Sequence, residues 1–380
     1  VLIRTIRGVS LESWRYITKM RYRNSILIGL MGVALGATPL VGTTVAQEKS
    51  GMALAEEAQK NFEPLPKEAP AAEHPATPDQ VSLGRMLFFD PRISEDGTGS
   101  CVRCHQPALY GADALPKSLG LHDKRLARNA PTVLNMALQF KVHWDGLFDS
   151  LEAQASKALL GAGFGNPDHA AAVARLKAVS GYAELFRKAF PDSADPITAE
   201  NWGRAVGAYE RTLLTPSRFD EFLRGKKDAL SDTEQNGLRT FMDRDCIQCH
   251  NGVGVGGTAF EKFGVVEDYW KQTHSQEIDK GRFNITKNND DLYVFKVPSL
   301  RNVAMTPPYF HDGSVQALPE AVTIMAKVQL GTDLSEKDAA DIAAFLGSLT
   351  GRLPDDFAKA PLLPAAGFDA GAARAGADQR

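Results

Sequence analysis

The chain is poor in cysteine, with four among 380 residues. That is too few for the dense disulfide frameworks that hold small secreted domains together. It has no excess of positive charge: 43 Lys and Arg stand against 46 Asp and Glu, a formal net charge of −3. A protein that grips nucleic-acid phosphates needs a basic surplus, so that class is excluded. Successive long apolar runs are absent as well, which excludes a multi-span membrane protein. The hydrophobic share of 43% and charged share of 23% are ordinary globular proportions. They exclude a wholly disordered chain, a collagen and a coiled coil, and the length suits roughly two domains of about 150 residues.

Residues Met20 to Gln47 read as a secretory signal. Arg21 and Arg23 form a basic end, an apolar run extends from Ile26 to Ala37, and Thr44-Val45-Ala46 is a small-residue exit. The apolar run is too short to span a bilayer comfortably, although an uncleaved anchor is the competing reading. Val1 stands where a methionine is expected, so residues 1–19 read as an upstream extension of Met20. Removing residues 1–46 leaves 37 basic against 45 acidic residues, a net charge of −8. Such a protein steers basic partners and avoids nucleic acid and anionic lipid. The expectation is a periplasmic protein with no stable membrane span after processing.

Residues 47–77 and 355–380 are rich in small, charged and Pro residues without apolar periodicity, and read as a linker and a flexible tail. Between them apolar residues recur three or four apart over 78–88, 145–159, 168–190, 197–213, 231–243, 318–329 and 335–349, the period of helices. Ser231 with Glu234, and Ser335 with Asp338, are capping-box start signals. Long Gly- and Pro-rich loops at 106–135 and 251–317 separate the helices, and runs of alternating strand pattern are lacking. The fold class is therefore all-α, mainly helical with long loops.

All four cysteines fall in one motif used twice: Cys101-Val102-Arg103-Cys104-His105 and Cys246-Ile247-Gln248-Cys249-His250. Cys-x-x-Cys-His is the attachment signature of c-type haem. Two thiols one helical turn apart form thioethers to the two vinyl groups, and the adjacent imidazole reaches the iron. A redox dithiol explains Cys-x-x-Cys but gives no reason for a histidine in the same place twice. A zinc site needs its two halves about 15–20 residues apart, whereas these are separated by most of a domain. The reading is two covalent haems with His105 and His250 as proximal ligands. Each iron has a sixth position, and the remaining histidines and methionines are its candidates; methionine in that place raises the haem potential relative to histidine.

Beyond the haem motifs, the stretches LGRMLFFDPRIS, RNAPTVLN, WDG, VFKVPSLRN, PPYFHDG and AVTIM occur in order from residue 78 to 351. In these the chain resembles the bacterial dihaem cytochrome c peroxidases, which share their fold with MauG-type enzymes that modify a partner protein. The resemblance implies two cytochrome c-like domains, each with one covalent haem: an N-terminal peroxidatic domain over 78–215 and a C-terminal electron-transfer domain over 216–354. It implies that hydrogen peroxide is reduced at the first haem with electrons from a small soluble cytochrome c or cupredoxin, received at the second. Dimerisation is usual in that family, so a homodimer is an expectation that rests on the resemblance alone. Met325 matches the methionine ligand of the second haem, where MauG-type enzymes have tyrosine, and Met305 is left a loop residue. His122 matches the removable sixth ligand of the first haem, one residue late against the usual Gly-His. Trp144 matches the tryptophan between the haems. Asn129, Thr306 and Pro308 match a calcium site between the domains, with hard oxygen donors suited to that ion.

The peroxide pocket is where the chain departs from the family. Gln154 matches a glutamine that supports a glutamate, the group that moves a proton between the peroxide oxygens. The following segment SKALLGAGFGNPDH is longer than usual, and Asp168-His169 stands where that glutamate is expected. Either side chain is an acid–base candidate; a helix cap at Asp168 with an exposed His169 is the competing reading. His143, before Trp144, replaces an aromatic residue and is a further imidazole in or near the pocket. The competing functions are a MauG-like oxidase of a partner's side chain, which expects tyrosine at 325, and a dihaem electron carrier without catalysis. Covalent attachment predicts two haems per chain that survive acid-acetone extraction in a pyridine haemochrome assay. Cys249→Ser is expected to reduce the covalently held haem, whereas unchanged retention would contradict attachment through this cysteine.

Overall fold

A computed structural model describes residues 51–70 and 75–365; the signal and extension at 1–46, His74 and residues 366–380 lie outside the described residues. Within them the chain is mainly helical. Helix α1 occupies residues 51–58, followed by α2 Pro78–Phe89, α3 Leu151–Ala158, α4 His169–Ala178, α5 Gly181–Ala189 and α6 Ala199–Glu210. The remaining helices are α7 Arg218–Leu223, α8 Asp232–Asp243, α9 Tyr269–Thr273, α10 Phe283–Thr286, α11 Leu318–Leu330 and α12 Glu336–Ser348. Strands β1 Phe260–Lys262 and β2 Val294–Lys296 pair antiparallel, with Glu261 opposite Phe295.

Local chemistry sets the helix starts. Thr77 Oγ1 accepts from Gln80 N at 3.2 Å while Gln80 Oε1 accepts from Thr77 N at 3.1 Å, a reciprocal cap ahead of Pro78. Ser231 and Glu234 do the same for α8. At α12 Ser335 accepts from Asp338 N at 3.0 Å. The helix expected over 145–159 begins only at Leu151, capped by Ser150. Residues 142–148 instead close into a loop, with Val142 bridged to Phe148 and left-handed backbone at His143 and Gly146. The segment 168–190 is two helices, because Val179 turns to extended backbone and buries its side chain. The expected linker carries α1, whose Leu54, Ala55 and Ala58 are buried beside Phe62, and the expected tail buries Phe357.

The buried apolar residues form separate cores. One gathers α2, α3, α4, α5 and α6 around Phe88, Tyr182 and Trp202. Another gathers α1, α7, α8 and α12 around Phe62, Phe219 and Phe345. An aromatic third, with Phe263, Tyr269 and Phe295, lies under α11. The first two are built around the same device. A Cβ on Gly84 of α2 would stand 1.8 Å from the Ala205 carbonyl oxygen of α6, and one on Gly237 of α8 would stand 1.8 Å from the Asp341 carbonyl oxygen of α12. Only glycine allows either crossing. Each such α2- or α8-type helix leads toward a haem motif.

The parallel extends to the loops. Asn135 and Asn302, both left-handed and buried, each donate from Nδ2 to Thr215 Oγ1 at 2.8 Å. Asn135 Oδ1 accepts from Thr215 N and Asn302 Oδ1 from Gly351 N, both at 2.9 Å. The loop Val142–Phe148 has a counterpart in Tyr309–Val315, each closed by one bridge. His143 and Phe310 occupy matching left-handed positions, and Gly146 matches Gly313.

Arg301 and Asp220 form a bidentate pair at 3.0 and 3.1 Å with both side chains wholly buried. Asp220 also accepts from Leu65 N and Ser217 N, and Arg301 Nε donates to Val253 O. Burial alone would raise the Asp220 pKa, but the Arg301 charge and the backbone donors outweigh it and hold it below the usual carboxylate value. A depressed folded-state pKa gives stability that is present above the unfolded pKa and lost as pH falls through the folded one. Asp220→Ala is expected to cost about 3–5 kcal/mol by stranding the guanidinium, read as a lower urea midpoint near neutral pH. An unchanged midpoint would contradict this role.

Candidate haem sites

Both haem motifs fold as a 3-10 turn that turns the following imidazole inward. In the first, Cys104 N and His105 N donate to Cys101 O at 3.2 and 3.0 Å; in the second, Cys249 N and His250 N donate to Cys246 O at 3.3 and 3.0 Å. The four thiols are free of disulfides, as thioether formation requires. Burial raises the pKa of all four, with Cys246 at about 11.

His105 Nδ1 lies 3.0 Å from Gly111 O, a contact that fixes the ring and leaves Nε2 to face a ligand. Burial lowers its pKa. His250 is pushed down to about 4 by burial, and its Nδ1 is enclosed without a hydrogen-bond partner. Both imidazoles are thus held neutral, the form that ligates iron. The second motif opens on a cavity of about 490 Å³ whose wall includes Cys246, Cys249, His250 and, from α11, Met325. Leu300, Val303, Leu318, Ile342 and Leu346 make much of the remaining wall apolar. A cavity with free thiols, a neutral imidazole and a thioether on its lining fits a covalent haem with His/Met ligation. Met305 is exposed and is not part of this wall.

The same cavity reaches Trp144, Asn129, Thr306 and Pro308. Trp144 Nε1 donates to Asn129 O at 3.0 Å, and its ring meets the His311 ring edge-on at 6.4 Å. Asn129 N in turn donates to His311 O at 2.8 Å. Asn129 Nδ2 is held by Leu115 O at 2.8 Å, which orients the amide and leaves its oxygen as an acceptor. No cluster of three or more His, Cys, Asp or Glu side chains suited to a metal occurs among the described residues. An amide oxygen with two backbone carbonyls is a donor set of a different kind.

Around the first motif the expected acid–base residues are not gathered. Asp168 caps α4, accepting from Ala171 N at 2.7 Å, and His169 is exposed with Nε2 3.2 Å from Ser156 O. The reason is the longer segment before them. Its residues 159–166 fold back on the loop at 94–99, where Glu95 N donates to Phe164 O at 2.7 Å, so Asp168 starts a helix at the surface. His122 is exposed in a turn with left-handed backbone. Leu121 takes the buried place, 3% exposed, and turns the next residue outward, which is the structural meaning of a histidine one residue late. Gln154 is half-buried on α3.

Three buried groups escaped the sequence reading. Lys296 is 4% exposed, bonds Gln139 Oε1 through Nζ, and burial lowers its pKa to about 8. His311 is 2% exposed with Nε2 unpartnered, and burial lowers it to about 4. Burial raises Glu210 to about 8, with Glu152 adding to the shift. Their signal was a lysine inside VFKVPSLRN, a histidine inside PPYFHDG and a glutamate at the end of an apolar helix, each inside a motif with no separate mark of function.

Residues 78–228 match the family model described as di-haem cytochrome c peroxidase. The chain is 40% identical over 318 residues to the cytochrome c551 peroxidase of Pseudomonas aeruginosa, covering 82% of this chain and 90% of that one. It is 38% identical over 296 residues to the cytochrome c551 peroxidase of Nitrosomonas europaea, covering 78% and 86%. Among solved structures it is similar to a MauG-like protein associated with microbial copper homeostasis, with a TM-score of 0.68 and 28% identity over 78% of this chain and 97% of that one. With two haem motifs on matching scaffolds and relatives of this identity over nearly their whole length, the chain belongs to the di-haem cytochrome c peroxidase family.

Proposed function

We propose that this protein reduces hydrogen peroxide to water in the periplasm with electrons from a small cytochrome c or cupredoxin. The observation that carries the reading is the cavity with His250 and Met325 on its wall beside Trp144. Each haem, when bound, supplies one-electron chemistry, and the first supplies cleavage of the oxygen–oxygen bond. The chain's own residues divide the labour. Met325 keeps the second site at high potential and so able to accept an electron from a soluble donor. Trp144, tied to Asn129, fills the wall toward the first site with a rigid aromatic ring. His105 is oriented by Gly111 O, and His122 is exposed in its loop.

Two cytochrome c-like domains, 78–215 and 216–354, are the natural division of this work, with the glycine crossings at Gly84 and Gly237 as their matching centres. Asn129 Oδ1 and the carbonyls of Thr306 and Pro308 would hold one calcium ion between them. The family resemblance and the apolar run at Ile26 to Ala37 support export; among the described residues no helix is long and apolar enough to cross a membrane. Methionine at 325 argues against oxidation of a partner's side chain, for which the family resemblance implies tyrosine.

Met325→His is expected to lower the potential of the second haem by replacing a thioether with an imidazole. In a potentiometric titration the high-potential step should disappear, and oxidation of a reduced donor cytochrome by peroxide should slow. A variant that retains both the step and the rate would show that another residue ligates that iron. Wild-type protein that consumes no peroxide with a reduced donor would leave an electron carrier.

A further inference from the structure

The cavity at the second motif carries a buried charge that the chain itself does not balance. Lys296 lies on its wall together with Cys246, Cys249, His250 and Met325, and is 4% exposed. We propose that the Lys296 ammonium binds a propionate carboxylate of the second haem and thereby helps to set that haem's potential. This rests on the reading above that places an electron-accepting haem in this cavity, and does not depend on peroxide turnover.

Three observations carry the assignment. Lysine is almost never fully buried unless it is paired, yet among the described residues the partner of Lys296 Nζ is a neutral one, Gln139 Oε1. The other charged groups on the wall do not supply an anion. Asp245 and Glu261 are exposed and form no bond to Lys296, and Arg301 is a cation already paired with Asp220. Burial lowers the Lys296 pKa to about 8, and no carboxylate offsets that. The backbone here is also fixed against the haem site. Lys296 N donates to Trp144 O at 2.7 Å, and Gly257 N donates to Val297 O at 3.0 Å. A Cβ on Gly256 would stand 2.3 Å from Pro298 O and 3.0 Å from His250 Nδ1, so the chain leaving Lys296 passes beside the proximal imidazole.

An ammonium taken out of water incurs a desolvation cost that one amide oxygen does not offset. Haem brings the missing group. Besides the two vinyl groups taken up by the thiols it carries two propionates, each an anion at neutral pH. A carboxylate at Lys296 forms a charge-assisted hydrogen bond, the strong kind, in surroundings of low dielectric that strengthen it further. It also favours the charged form of the lysine, against the effect of burial. Gln139, 157 residues earlier in the chain, remains as the acceptor that orients Nζ. A fixed positive charge at the haem edge favours the form with one more electron. Lys296 therefore acts in the same direction as the Met325 thioether, raising the potential of the site where electrons enter.

The test uses the dihaem holoprotein with Lys296→Met, which keeps the length of the side chain without its charge, and Lys296→Gln, which keeps a hydrogen-bond donor. Replacing a buried ammonium by an apolar chain removes a desolvation cost, so the fold is retained; the pyridine haemochrome yield checks that both haems are present. In a potentiometric titration both variants are expected to shift the one-electron equilibrium of the second haem about tenfold toward the ferric form, ~59 mV lower. The propionate bending band in the resonance Raman spectrum should move in Lys296→Met, while the Met325–iron charge-transfer band of the ferric protein stays in place. An unmoved propionate band in Lys296→Met would overturn the assignment, and so would a wild-type potential in Lys296→Gln. A lower urea midpoint with potential and band unchanged would likewise overturn it, leaving Lys296 a structural partner of Gln139. Wild-type protein that lacks the Met325–iron band would instead overturn the ligation reading, and the propionate band would still decide the role of Lys296.

Discussion

A helix crossing that leaves no room for a side chain is the constraint on which both sites rest. At Gly84 and at Gly237 an added Cβ would sit well inside a carbonyl oxygen of the partner helix. The crossing brings α2 against α6 and α8 against α12, and each first helix delivers the chain to a turn of Cys-x-x-Cys-His. Close-packed interiors leave little slack for such contacts. The depth at which each imidazole is buried, and hence its neutrality, follows from where these helices are pinned.

On this repeated scaffold the chemistry is deliberately unequal. Thr215 Oγ1 receives an amide from Asn135 on one side and from Asn302 on the other, so the two motif-bearing halves meet at one hydroxyl. The loops that carry Trp144 and His311 meet nearby, edge to face. Met325 lines the cavity of the second site, making that site suited to a high potential. His143 and Phe310 share a backbone position but not a chemistry. A common frame with divergent side chains is what the proposed division of labour, electron entry at one haem and peroxide chemistry at the other, calls for.

Much of this was legible in the sequence because it depends on short-range chemistry. The two Cys-x-x-Cys-His turns, the Thr77 and Ser231 caps and the periods of α8, α11 and α12 are local. Met325 was singled out through the family resemblance, and its side chain lines the second cavity. What failed was long-range. The Ala- and Glu-rich stretch at 51–58 was read as linker because its few apolar residues make no obvious stripe, yet Leu54 and Ala58 fill a core whose other wall is α7. Asp168 and His169 stand where the resemblance expects a catalytic position, but the longer segment before them leaves Asp168 capping α4 and His169 exposed. The buried state of Lys296, Glu210 and His311 depends on neighbours far along the chain, and no spacing announces it.

The central claim is that peroxide reacts at the haem of the first motif while electrons arrive at the Met325-ligated haem of the second. Its most direct test is rapid-freeze electron paramagnetic resonance of holoprotein reduced by one electron and mixed with one equivalent of hydrogen peroxide. The account predicts that the ferric signal of the Met325-ligated haem grows in as peroxide disappears, with the His105 haem as the site of reaction. Peroxide consumption with the Met325-ligated haem remaining reduced throughout would contradict it.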